Sequence, residues 1–326
     1  MRIAILDDYS DTLRTLPCFT KLAGHDVTVF TDHVQDAGAL AERLRDIEAL
    51  VLIRERTRIE AALLERLPGL RLISQFGGYP HIDVAACTRH GVVVSSELSG
   101  GGTSHGTAEL TWGLLIAAAR RIPQQMASLR AGGWQESVGT TLHGKTLGIL
   151  GYGRIGTAVA GYATAFGLRV VVWSGEESRR RAAADGHAVA ESQRALFAGS
   201  DAVSLHVKLT DATRGIVTAA DLAAMAPSAI LVNTSRAGLI EPGALPAALR
   251  AGRPGVAAVD VFDAEPLHDP QDPLLSLDNV VATPHIGYVT REDYERQFAS
   301  AFEQIVAFAG GEPINVVNPE VLAMRQ

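Results

Sequence analysis

Residues 147–150 read as a short buried β-strand, Gly151-Tyr152-Gly153-Arg154-Ile155-Gly156 follows with no spacer, and residues 157–166 carry a helical pattern. Few local sequences constrain their surroundings as tightly. Gly151 permits a tight turn, Gly153 lets the backbone approach a diphosphate seated at the helix N-terminus, and Gly156 lets helix and strand pack closely. The expected element is therefore a βαβ unit that holds a dinucleotide.

The rest of the chain agrees with that unit. Apolar strand-like runs at residues 3–6, 27–30, 49–53, 71–74 and 92–94 alternate with helical patterns, which predicts a first parallel sheet covered on both faces. A glycine-rich polar stretch at residues 100–106 interrupts the rhythm, and helical patterns over 107–120 and beyond Pro123 come next. A second series at 146–150, 169–173, 202–205, 229–233, 256–260 and 280–282 describes a doubly wound sheet of six strands. A helical pattern over 291–309, closed by Gly310-Gly311, leaves a tail too short to fold alone. The expected architecture is α/β, with two Rossmann-like domains and an active-site cleft between them. Residues 1–100 with 291–326 form the substrate domain, and residues 101–290 form the dinucleotide domain.

Composition removes competing classes. Twenty-nine Lys and Arg against 36 Asp and Glu give a net charge of −7, so no overall basic field exists to hold nucleic acid or an anionic membrane. The longest apolar stretch, residues 112–119, is far shorter than the ~18 to 20 residues of a membrane span. Residues 1–6 run into Asp7-Asp8 as a first strand, not a signal peptide. Two cysteines, Cys18 and Cys87, suggest neither a disulfide framework nor a zinc site, and point to reducing cytoplasm. A small-molecule partner is the expectation, with no metal.

The strand at 169–173 should end in a carboxylate for the adenosine ribose hydroxyls, yet it ends in Ser174. Glu176 and Glu177 come slightly late, and Arg179, Arg180 and Arg181 follow. Missing negative charge beside guanidinium groups favours a 2′-phosphate. A ribose contact by Glu176, with solvated arginines, favours the 2′-hydroxyl. NAD and NADP both remain open.

Three polar residues follow strand ends in the second series: Arg236 in NTSRAG, Glu265 in DVFDAEP and His285 in TPHIG. In an open α/β sheet that edge is where ligands bind. These segments, their order, GYGRIG and the strand end at His206 make the chain resemble the D-isomer-specific 2-hydroxyacid dehydrogenases over nearly its whole length. The resemblance implies that His285 is the acid/base, Glu265 its partner, Arg236 the binder of the substrate carboxylate and Asp260 a contact of the nicotinamide amide. Tyr152, Arg154 and Ile155 in the fingerprint, with Ser174, His206, Thr234 and Ser235, complete the expected cofactor-binding set.

The chemistry suits those residue types. Hydride addition to a ketone leaves an alkoxide, and a histidine can protonate it near neutral pH. Arginine can clamp a 2-oxo acid carboxylate with two parallel hydrogen bonds. The resemblance also implies that Gly77 and Gly78, after a strand of the first series, offer backbone N–H groups to that carboxylate, although the run GGYPHID departs from the commoner family pattern and also reads as a plain βα turn. Arg54, Arg56 and Arg58 either meet a second acidic group of the substrate or are solvated. His105 and His143 read as structural. Two alternatives remain: a dinucleotide-sensing protein resembling nuclear corepressors, and a formate dehydrogenase-like enzyme, against which Glu265 stands where glutamine is usual. The helix over 107–120, with Trp112 read as exposed, suggests a homodimer.

Overall fold

The structure, a computed structural model, describes residues 1–98 and 105–323. The chain divides into two compact units, Met1–Gly102 with Thr290–Gln326, and Thr103–Val289. The boundary expected at residues 100 and 101 lies outside the described residues.

The first unit is a parallel five-stranded sheet of β1 (Arg2–Ile5), β2 (Asp26–Val29), β3 (Ala49–Val51), β4 (Leu72–Phe76) and β5 (Val93–Glu97), in the order β2-β1-β3-β4-β5. The helix Arg291–Ala309 packs on this sheet. The Ser74 hydroxyl donates to the Ala301 carbonyl at 2.8 Å, the Ser300 hydroxyl donates to Glu97 at 2.5 Å, and Phe302 meets Phe19 edge-on at 6.0 Å. Beyond it, the Asn318 side chain accepts from the Val94 N–H at 2.8 Å. The last segment thus acquires a core from the first hundred residues.

The second unit is a parallel sheet of β6 (Thr146–Leu150), β7 (Arg169–Trp173), β8 (Ala188–Val189), β9 (Ala202–Leu205), β10 (Ile230–Asn233), β11 (Val256–Val259) and β12 (Val280–Ala282). The order is β12-β11-β10-β9-β6-β7-β8, so successive connections run one way from β6 through β8 and the other way from β9 onward. A crevice opens at such a reversal, outside the strand ends, and the glycine turn leaves β6 there. Side-chain alternation explains the two covered faces. Ile230, Val232 and Ala258 enter the core under the helix Gly106–Arg120, whereas Leu231, Ala257 and Val259 enter the opposite core with Phe197 and Leu222.

Two expectations need correction. The sheet has seven strands, not six: β8 is two exposed residues paired to β7, too short to carry an apolar pattern. Trp112 is not exposed. It is 8 % accessible and packs edge-on against Phe166 at 4.8 Å and Tyr162 at 6.3 Å, because its face of the helix lies against the helix Arg154–Ala165. Among the described residues, no helix is long and apolar enough to cross a membrane.

Candidate active site

The glycine turn forms where β6 ends. Gly151 has φ +96°, and a Cβ there would stand 2.6 Å from the His206 carbonyl oxygen and 2.9 Å from Val207 Cγ2. At Gly156 a Cβ would fall 2.2 Å from the Gly151 oxygen. Gly153 differs: a Cβ there would meet nothing within 4 Å. Gly153 caps the helix Arg154–Ala165 with no side chain, so the first-turn N–H groups of Arg154, Ile155 and Gly156 face outward without intrahelical partners. An open backbone approach and orphan donors fit a diphosphate.

Around this turn the expected cofactor residues serve first as scaffolding. Tyr152 is buried, and its hydroxyl donates to Asp185 at 2.7 Å. Ser174 Oγ accepts from the Tyr152 N–H at 3.3 Å. His206 Nε2 pairs with the Ser204 hydroxyl at 2.8 Å, and burial pulls this imidazole down to about 4, so it is neutral in the cell's pH range. The Thr234 hydroxyl shares a 2.6 Å hydrogen bond with Thr111, and the Ser235 hydroxyl donates to the Val207 carbonyl at 2.8 Å. Arg180 closes on Glu176, while the Arg179 guanidinium lies 4.5 Å over the Trp173 ring.

Three neighbouring strand ends carry the candidate chemistry. After β10, the Asn233 side chain donates to the Arg236 carbonyl and accepts from the Ser235 N–H, each at 3.0 Å, which shapes the loop presenting Arg236. Arg236 Nη1 donates to the Ser235 carbonyl at 2.8 Å. After β11, Asp260 is fully buried. Its carboxylate accepts from the Thr283 hydroxyl at 2.6 Å and from the N–H groups of Ile286 at 2.9 Å and Gly287 at 2.8 Å. Burial pushes this carboxyl up, against the pull of those hydrogen bonds. Asp260, expected to meet the nicotinamide amide, therefore also builds the loop that carries His285. After β12, His285 sits at φ +52°, with Nδ1 2.5 Å from Glu265 Oε2. Glu265 Oε1 accepts from the Phe262 N–H at 2.8 Å, which fixes the carboxylate.

Histidine, carboxylate and arginine thus lie on adjacent strand ends of one sheet, although 20 residues separate Glu265 from His285. Sequence reasoning passed over Asn233 and Tyr288, whose ring meets His285 edge-on at 5.6 Å. Asn233 stood inside the NTSRAG run, where a turn-forming Asx side chain was a usable signal.

In the first unit, the turn after β4 corrects one expectation. The Gly77 N–H, expected to face a substrate, donates to the Glu97 carbonyl at 3.0 Å. Extension of β5 to Glu97 supplies that acceptor. The Gly78 N–H keeps no acceptor among the described residues. Arg54 stands against this turn, its Nη1 3.4 Å from where a Gly77 Cβ would be. Arg56 instead donates to the Asp7 carbonyl at 2.6 Å and stacks over Tyr9.

Residues 112–287 match the family described as D-isomer specific 2-hydroxyacid dehydrogenase, NAD binding domain. The chain is 41 % identical over 298 residues to a glyoxylate reductase of Aeropyrum pernix, covering 88 % of each. It is 40 % identical over 283 residues to a D-3-phosphoglycerate dehydrogenase of Methanocaldococcus jannaschii, covering 86 % of this chain and 53 % of that one. The crystal structure of a phosphoglycerate oxidoreductase from Vibrio cholerae superposes with a TM-score of 0.91 at 49 % identity, covering 95 % of this chain and 99 % of the other.

Proposed function

The chain belongs to the D-isomer-specific 2-hydroxyacid dehydrogenases, a family of NAD-dependent oxidoreductases, and on that premise we propose that it interconverts a D-2-hydroxy acid and its 2-oxo acid. The observation that carries the reading is the 2.5 Å contact between His285 Nδ1 and Glu265 Oε2, which leaves Nε2 of the ring for a ligand. When bound, the nicotinamide supplies or accepts the hydride. In the reducing direction His285 delivers a proton from Nε2 to the substrate carbonyl oxygen. Glu265, through its contact with Nδ1, keeps the ring turned so that Nε2 faces the ligand. Arg236 holds the substrate carboxylate through its two-pronged guanidinium.

The cofactor reading rests on Ser174. With no carboxylate closing β7, nothing at that position repels a 2′-phosphate, so measurable use of NADPH beside NADH is expected. Buried free thiols at Cys18 and Cys87 suit a reducing compartment.

The decisive test follows reduced-nicotinamide absorbance with NADH and with NADPH against glyoxylate, hydroxypyruvate and 3-phosphohydroxypyruvate. Turnover of at least one acid is the expected result. Dinucleotide binding with no turnover of any 2-oxo acid would favour the sensing alternative.

A homodimer is also proposed, through a different surface from the helix Gly106–Arg120. The next helix, Ile122–Arg130, buries none of its residues, and Met126, Leu129, Trp134 and Val138 are exposed at 47, 59, 76 and 97 %. Apolar exposure on this scale in one segment suits a self-complementary contact with a second copy. Met126→Glu with Leu129→Glu should convert a dimer to a monomer in light scattering; a wild-type monomer would sink the idea.

A further inference from the structure

Tyr152, the second residue of the glycine turn, is 2 % exposed and directs its N–H, carbonyl and hydroxyl to one neighbouring segment, the hydroxyl also meeting Thr157. Its N–H donates to Ser174 Oγ at 3.3 Å, its carbonyl accepts from Arg181 Nη2 at 3.0 Å, and its hydroxyl donates to Asp185 Oδ2 at 2.7 Å. The ring also meets His187 edge-on at 5.8 Å. Ser174 follows β7, Arg181 lies on the helix Glu176–Ala184, and Asp185 is the residue that ends that helix. Burial first, and Asp185 second, hold the phenol up to about 12, so it remains a donor at ordinary pH.

That segment is the one that meets the adenosine ribose when a dinucleotide lies on a glycine turn of this kind. Its three arginines are not equivalent. Arg180 is engaged by Glu176, and Arg179 is stacked on Trp173. Arg181 makes both its bonds, to the Tyr152 carbonyl and the Ser178 hydroxyl, through Nη2, so Nε and Nη1 remain available to a ligand. Among the described residues, the other hydrogen bond from the turn to this segment is that of the Gly151 N–H to the Trp173 carbonyl at 2.9 Å, which ties the end of β7 and not the helix.

We propose that Tyr152 is a positioning residue that sets discrimination between a 2′-phosphate and a 2′-hydroxyl on the adenosine ribose, by locking the helix Glu176–Ala184 to the glycine turn. The proposal rests on the dinucleotide reading above and specifies how this chain tunes it. Either end of the staple can be cut. Tyr152→Phe removes only the hydroxyl, and Asp185→Ala removes only the acceptor, which is exposed and outside the core.

Calorimetric titration of the full chain with 2′,5′-ADP and with 5′-AMP reads the discrimination without turnover. Each single variant is expected to shift the ratio of the two Kd values by about fivefold or more, and the double variant by no more than either single one. Asp185→Asn, which can still accept from the phenol, should keep the wild-type ratio. An unchanged ratio in Tyr152→Phe and Asp185→Ala overturns the proposal. Equal weakening of both ligands overturns it too, because Tyr152 would then merely support the turn. If circular dichroism shows Tyr152→Phe unfolded, the two Asp185 variants decide the matter. Failure of the dinucleotide reading would appear separately, as a wild-type chain that binds neither ligand.

Discussion

A histidine in a loop does little by itself; what gives His285 a direction is the carboxylate on its Nδ1. Glu265 is held by the Phe262 N–H, so the imidazole cannot turn without breaking a charge-assisted contact. His285→Gln is expected to lower kcat by about 10²- to 10⁴-fold, the usual range for general acid–base help. Dinucleotide binding, followed by fluorescence, should survive, and wild-type turnover would remove His285 from the mechanism. Arg236→Lys should damage kcat/KM nearly as much as Arg236→Ala, since a point charge cannot reproduce a planar fork. Recovery of most activity by lysine would reduce Arg236 to a general positive charge.

Among the elements, the strand–turn–helix of the fingerprint separates two demands that glycine meets. Gly151 answers to the fold: a Cβ at φ +96° would collide with the His206 carbonyl. Gly153 answers to the ligand, since its φ of −93° suits any residue and its Cβ would enter open space. Gly151→Ala should therefore lower the melting temperature as well as dinucleotide affinity, by a strain of about 1–3 kcal/mol. Gly153→Ala should weaken dinucleotide binding while leaving the melting temperature unchanged. A stable Gly151→Ala protein with full affinity would contradict the turn as described.

For the whole molecule, each unit contains a histidine that burial keeps neutral. Burial lowers His81 in the first unit and His206 in the second to about 4, from an ordinary 6.5. Both His81 ring nitrogens are buried with no hydrogen-bond partner. Below about pH 6.5 the unfolded chain takes up protons that the folded chain refuses, so stability is present above that pH and is lost as pH falls toward 4. For His81 this is worth on the order of 3 kcal/mol, at about 1.4 kcal/mol per tenfold. Melting temperatures measured from pH 7 to pH 4.5 should fall, and His81→Leu should flatten the profile. Identical profiles for the two proteins would mean that the imidazole is solvated.

Both sheets, their covered faces and the glycine turn were legible in the sequence because they are written at short range. Short continuous apolar runs declare a strand buried on both faces, and a glycine run between strand and helix declares a turn that admits a diphosphate. The polar residues at the strand ends were legible for the same reason, since a parallel sheet brings all its carboxyl ends to one edge. Partnership was legible only where the family resemblance supplied it, as for Glu265 beside His285. That Asp260 ties the 283–287 loop and that Tyr152 reaches Asp185 depend on contacts 23 to 33 residues apart. Trp112 was misread because which face of a helix is covered depends on where the helix lands, here against the helix Arg154–Ala165. The Gly77 N–H was misassigned because β5 runs on to Glu97 and takes the donor that seemed free. A backbone donor or an apolar side chain has many possible partners in sequence, and only the packed chain, where every buried group must be satisfied, selects one.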